Sequence, residues 1–241
     1  KNIYIYSTGT GDLTFIADSA FAGTIDNVIV KEVTSSLANT TFRDSAGTMK
    51  SELRIAGTSN TFLGENSGRF NINGNYNAAL GTDALSHNTT GANNTAIGEF
   101  ALWSNTSGWG NTALGENTLI YNISGDENTA VGKEALYDNT TGNYNTAIGN
   151  TVLDNNTTGA NNTAIGYGAL ESTTTGGYNT ALGGFAMGFT NNTATNNTAL
   201  GYGALQSVDS NNNIAVGYHA GDNLGTGNTN IIIGYDIDLP T

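Results

Sequence analysis

The sequence predicts an all-β fold: a parallel β-solenoid of eleven 17-residue coils, preceded by a short β-rich segment. Three observations carry that expectation. A phrase N-x-A-aliphatic-G returns in phase, with its Asn at Asn60, Asn77, Asn94, Asn111, Asn128, Asn145, Asn162, Asn179, Asn197, Asn213 and Asn230, so the spacing is 17 seven times and then 18, 16 and 17. A glycine stands four residues after that Asn in every copy, from Gly64 to Gly234. With a second glycine in most loops, it would break two short helices per repeat. Proline occurs once, at Pro240, which suits a chain whose backbone N–H groups are committed to ladders.

The chain divides into four parts. Residues 1–35 contain alternating, strand-like stretches at Ile3–Tyr6, Leu13–Ala17 and Thr24–Val33. Residues 36–59 form a transition, with KSELRIAG (50–57) as the first strand leading into the repeats. Residues 60–235 are the solenoid, and 236–241 are an exit segment. The steps of 18 and 16 cancel and fall between the Leu/Met position and the next Asn, so they read as loop-length changes.

Within one coil the expectation is two short strands, N-T-A-I-G and a second centred on the A-L pair. A corner at the invariant glycine (Gly98, Gly115, Gly132, Gly149, Gly166) joins them, and N-T-T-G-x-x makes the return loop. A single coil cannot bury its own aliphatic side chains, so coils must stack. The predicted core columns are Ile97, Leu114, Val131, Ile148 and Ile165 from the first strand, with Leu102, Leu119, Leu136, Leu153 and Leu170 from the second. At about 4.8 Å per coil, eleven coils make a rod roughly 50 Å long. Equivalent Asn and Thr side chains then lie above one another and form axial ladders. In an extended strand Ile97 shares a face with Thr95, and Ala96 with Asn94; Ala101 and Leu102 point oppositely. One face of so narrow a coil must show an apolar stripe, which three parallel rods would bury. The first copy and the last two lack the Leu column (Gly68, Gly221, Asp238), as the ends of a stacked array require.

Composition narrows the function. Charged residues are 11% of the chain, against about 25% in ordinary domains. Yet 37% of the residues are hydrophobic and sit at fixed intervals, which disorder does not require. A net charge of −13 from 20 acidic and 7 basic residues argues against a nucleic-acid partner. Cysteine is absent, which removes disulfides and Cys-based zinc sites. No apolar run approaches the roughly 20 residues that span a bilayer, so membrane insertion by this segment is not expected. The chain begins at Lys1 rather than Met and reads as a fragment or processed piece.

NTAIGYGAL (162–170), with its G-x-x-A corner and Asn-rich return, resembles the head repeats of trimeric autotransporter adhesins. It is still more similar to the solenoid repeats of bacteriophage tail fibres and spikes. The resemblance covers residues 60 to about 235. It implies a left-handed parallel β-roll assembled as a homotrimer, located in a phage tail or on a bacterial surface, with other tail or surface proteins as partners. The usual adhesin head repeat is shorter than 17 residues, so the loops here depart from that pattern. The phage version commonly precedes a C-terminal knob or self-cleaving chaperone. Nothing of that kind follows Asp238-Leu239-Pro240-Thr241, so the chain reads as truncated or matured there. GTIDNVIV (23–30) resembles the closing strand of a jelly-roll carbohydrate-binding module.

No catalytic constellation emerges. His87 and His219 are the only histidines and lie far apart in the repeat. Gly132-Lys133 lacks P-loop spacing, and there is no G-x-S-x-G elbow. Carboxylates (Glu99, Glu116, Asp126, Glu134, Asp154, Glu171) fall at varying positions, unlike a calcium-binding repeat with Asp in every copy. The expectation is a non-enzyme with no metal and no cofactor. Asn88, Asn105, Asn122 and Asn139 head N-x-S/T sequons that follow from the loop phrase itself. Aromatic residues are the irregular feature. Trp103 and Trp109 flank one loop, and Tyr121, Tyr144 and Tyr178 occupy loop positions in other coils. They are the candidate glycan-binding residues, with a host surface polysaccharide as ligand. Tyr167, Tyr202, Tyr218 and Tyr235 follow the invariant glycine and are expected to cover the corner. The leading function is the trimeric shaft of a tail fibre or spike that projects host-receptor binding. The alternatives are a bacterial adhesin head, an enzyme acting on polysaccharide in inter-chain grooves, and ice binding through the single regular Thr95–Thr112–Thr129 row.

Overall fold

In a computed structural model, the structure describes the backbone of residues 3–7, 13–17, 37–43, 49–56, 59–189 and 193–237, and the side chains of 59–189 and 193–237. Strands β1 (Ile3–Ser7) and β2 (Leu13–Ala17) pair antiparallel, as the first two alternating stretches predict. The third, Thr24–Val33, lies outside the described residues. Strand β3 (Leu37–Arg43), which was not foreseen, pairs antiparallel with β4 (Met49–Ala56), the strand expected from KSELRIAG. β4 pairs antiparallel with β5 (Thr61–Leu63), and so leads into the solenoid.

From β5 to β15 (Ile231–Ile233) the chain places eleven three-residue strands side by side, all parallel, one per coil. The register is strict: Thr95 lies beside Thr112, Ala96 beside Ala113 and Ile97 beside Leu114. The fold is therefore an all-β solenoid, and its coils advance by the period of the sequence phrase.

The second expected strand does not form; the A-L segment is a run of tight turns. Phe100 and Leu102 both take left-handed backbone (φ 56° and 53°) and alternate with neighbours that do not. N–H groups there alternate between two kinds of acceptor. Ala101 and Trp103 donate within the coil, to Gly98 and Phe100, while Leu102 and Ser104 donate to the next coil, to Thr118 and Ile120. This alternation sends Ala101 and Leu102 both inward, and both are fully buried. The prediction that they point to opposite faces is corrected, because the period-2 rule holds only for extended backbone.

Leu102, Leu119, Leu136, Leu153 and Leu170 form the core column as predicted, each fully buried. However, Ile97, Leu114, Ile148 and Ile165 are exposed in the chain, and Val131 is half-buried. Strand residues beside them turn the other way: Ala96, Ala113, Ala130, Ala147 and Ala164 are fully buried. Alanine fits there because the turn segment already fills the narrow interior with a Leu and an Ala per coil. Ile97 shares its outward face with Thr95, as strand geometry requires.

The invariant glycines are corners, as predicted. Gly98 has φ 136°, and a Cβ there would overlap the Gly115 carbonyl oxygen of the next coil. Capping explains two of the three failed Leu positions; the third, Asp238, lies outside the described residues. In the first coil Phe62 replaces the usual Ala, and its ring occupies the space a Cβ on Gly68 would need. Near the other end, a Cβ on Gly221 would lie 2.6 Å from Cδ1 of Ile232, which stands at the Ala position of the last coil. Large and small residues trade places, so the core volume is kept.

Candidate functional site

Two buried asparagine ladders hold the loops in register. In the first, the Oδ1 of each phrase Asn accepts the backbone N–H of the equivalent Asn one coil on. Ten such bonds of 2.8 to 3.0 Å run unbroken from Asn60 to Asn230. They pass straight through the coils of 18 and 16 residues, which confirms that those steps are loop changes. The second ladder is made of the sequon asparagines. The Nδ2 of Asn105 donates to the Asn88 Oδ1 and to the Gly108 carbonyl, and the pattern repeats through Asn122, Asn139 and Asn156. These side chains are fully buried and committed, so Asn88, Asn105, Asn122 and Asn139 have no exposed amide for a glycan.

The five aromatic candidates fall into two groups. Trp103 is half-buried and stands edge-on to His87 at 4.5 Å, with Phe100 at 6.5 Å. Tyr121 is exposed and stands edge-on to Tyr137 at 5.2 Å. These two belong to the turn that follows the core Leu. The hydrogen bond to Tyr121, and then burial, raise the Tyr137 phenol above its usual range.

Trp109, Tyr144 and Tyr178 lie together on the return loop, one or two residues before the ladder Asn, and Tyr76 joins them. The loops there are stacked by backbone bonds. Asn93 donates to Asn75, Glu127 to Trp109, Tyr144 to Asp126, Asn161 to Asn143 and Tyr178 to Ala160. The residue before each ladder Asn is left-handed: Tyr76 (φ 57°), Asn93, Glu127, Tyr144 (φ 57°), Asn161 and Tyr178 (φ 58°). Asparagine or glycine suits that backbone, whereas a larger L-residue there costs on the order of 1 kcal/mol. Tyr76, Tyr144 and Tyr178 nonetheless occupy it while 58 to 66% exposed, so core packing does not offset the cost. Tyr76 escaped the sequence reading. Alignment of the positions before each ladder Asn would have found it.

Tyr167, Tyr202, Tyr218 and Tyr235 line the corner as predicted. Where they follow in consecutive coils they stack on each other, Tyr202 on Tyr218 at 5.7 Å and Tyr218 on Tyr235 at 5.2 Å, both near-parallel at 13°.

Acidic groups gather where the loops of three coils meet. Burial, and then the charges of Asp138, Glu134 and Glu171, push Asp154 up to about 6, and burial also raises Asp138. His219 pairs with Asp222 at 2.8 Å. Among the described residues no group of three or more His, Cys, Asp or Glu is placed to hold a metal ion.

The outer strand face runs the length of the solenoid. There the half-buried Thr row stands beside an aliphatic row running from Leu63 to Ile233, one residue per coil. No family model matches the chain, no curated protein matches it, and no solved structure matches it.

Proposed function

We propose that the chain is a structural, non-enzymatic shaft, three copies of which associate along the outer aliphatic row to form part of a phage tail fibre or spike that projects host-receptor binding. The single observation that carries this reading is the row itself. Its residues lie in strict register down the whole solenoid, on the face opposite the alanines, and Leu80, Ile97, Leu114, Ile148, Ile165 and Leu200 are exposed.

Full burial of one Leu or Ile side chain is worth about 1.5–3 kcal/mol. Half of that over eleven residues is on the order of 10 kcal/mol per chain, comparable to the roughly 4–15 kcal/mol that association costs. A uniform stripe of this kind on a rod favours parallel, closed cyclic association. The likeness of NTAIGYGAL to tail-fibre repeats supports the trimer over other closed forms, and with it a place in the virion. Sedimentation equilibrium tests the reading. The expected species has three times the 24.8 kDa chain mass, and the double substitution Ile148→Asp with Ile165→Asp shifts it toward the monomer while the far-UV spectrum is kept. A native chain that sediments as a monomer at micromolar concentration overturns it.

A further inference from the structure

We propose that the return-loop aromatics Tyr76, Trp109, Tyr144 and Tyr178 form a docking track for an extended, uncharged polysaccharide lying parallel to the solenoid axis. This rests on the reading of the chain as a receptor-binding shaft and names the ligand class and the residues that bind it.

The period of the row is the central observation. These four aromatics come from the first, third, fifth and seventh coils: Tyr76, Tyr144 and Tyr178 stand one residue before the ladder Asn, where the coils between present Asn93, Glu127 and Asn161, and Trp109 stands two residues before it, next to Gly110. Two coils advance about 9.6 Å, close to the length of a disaccharide unit in an extended 1,4-linked pyranose chain. In such a chain alternate rings present the same face to the same side. An aromatic every second coil meets that repeat, with polar side chains between them to reach hydroxyls. The corner tyrosines supply the contrast. Placed in consecutive coils, Tyr202, Tyr218 and Tyr235 spend their faces on one another. Among the described residues no ring lies against Tyr76, Trp109, Tyr144 or Tyr178, and all four are exposed.

Local backbone points the same way. Left-handed positions favour asparagine and glycine, which fill this one in five coils (Asn93, Gly110, Asn161, Asn196, Asn212), while Ser59, Glu127 and Thr229 take it in three more. Tyrosine in three others, without burial, is a choice that folding does not reward. Stacked loop hydrogen bonds from Asn75 to Tyr178 hold the spacing rigid, which keeps the ordering cost of binding small. Charge selects the polymer. Asp126 and Glu127 lie on the track and no Lys or Arg does, so a polyanion is repelled.

The test is calorimetric titration of the full chain with β-1,4-linked glucose and N-acetylglucosamine oligomers, from the disaccharide to the octasaccharide, and with hexagalacturonate. Affinity for at least one neutral series is expected to rise with length until the oligomer spans the four aromatics, about 29 Å. Tyr144→Ala is expected to weaken the octasaccharide about tenfold. The paired exchange Tyr144→Asn with Asn161→Tyr keeps the aromatic count and moves one ring by a coil; it is expected to weaken binding as much. Hexagalacturonate is expected not to bind. The proposal is overturned if neither neutral series binds, if affinity ignores length, if the exchange binds like the native chain, or if hexagalacturonate binds as tightly. Sedimentation of the same samples reports the oligomer separately, so a trimer that binds no oligomer overturns the track alone.

Discussion

Asn111 lies one coil beyond Asn94, and the Asn94 Oδ1 accepts both its backbone N–H at 2.9 Å and its Nδ2 at 3.2 Å. The same Nδ2 reaches the Gly125 carbonyl of its own return loop at 2.8 Å. One neutral, fully buried side chain thus ties strand to loop within a coil and coil to coil along the axis. Aspartate would bring a charge and no donor, and threonine is too short to reach both partners. This is why the phrase keeps asparagine in all eleven copies.

Removal of one rung should therefore cost more than an average core change. Asn128→Ala strands the Asn145 backbone N–H and leaves the Gly142 carbonyl with the Asn139 Nδ2 as its side-chain donor. The expected loss is about 2–4 kcal/mol from unmet buried polar groups. Denaturant unfolding measures it, and a loss below that of a surface Asn155→Ala control would refute the ladder's role.

At the corner, Gly98→Ala is expected to be worse still. Its φ of 136° is open almost only to glycine, and the new methyl would overlap the Gly115 carbonyl oxygen. Relief requires the coils to separate, which breaks the Gly115 N–H bond to the Ile97 carbonyl. The variant should be insoluble or lose more than about 3 kcal/mol. Thermal unfolding near the native midpoint would contradict this.

The fold was legible because repetition averages over local ambiguity: eleven copies of one phrase fix the period, the corner glycine and the buried Leu column. The direction of Ile97 was not legible from the phrase. A strand's two faces are equivalent until something chooses between them, and here the choice is made by Leu102 in its turn. That turn was hidden because its left-handed Phe100 and Leu102 are residue types that rarely take such backbone. The loop aromatics were visible one by one, but their alternation was not. Tyr76 and Trp109 sit in different local phrases, one and two residues before their ladder Asn, and only the stacked loops bring them to the same part of the coil.

Where the second ladder ends, the structure offers a gain. Thr173 stands where the previous coils have asparagine, and the Asn156 Oδ1 and Thr173 Oγ1 are both buried without a hydrogen-bond partner. Thr173→Asn should donate to the Asn156 Oδ1 and to the Gly176 carbonyl, as Asn156 does to Asn139 and Gly159. The expected stabilisation is about 1 kcal/mol, seen as a raised melting temperature. An unchanged or lower midpoint would mean that the loop cannot admit the longer side chain.

The last prediction concerns acid. Burial and the neighbouring Asp138, Glu134 and Glu171 raise Asp154 from its ordinary 3.8 to about 6. The folded chain then holds this proton more tightly than the unfolded chain does. Stability from Asp154 is fully present below about pH 3.8 and is lost as pH rises through about 6. Asp154→Asn, which keeps the shape and removes the charge, should match the native chain at the acid end and become the more stable of the two toward neutrality. Asp154 is only half-buried, so solvent screening keeps the difference small. Melting curves of both proteins across that window decide the matter: a gap that widens with pH places the cost on Asp154, and parallel curves would show that its charge is already solvated in the fold.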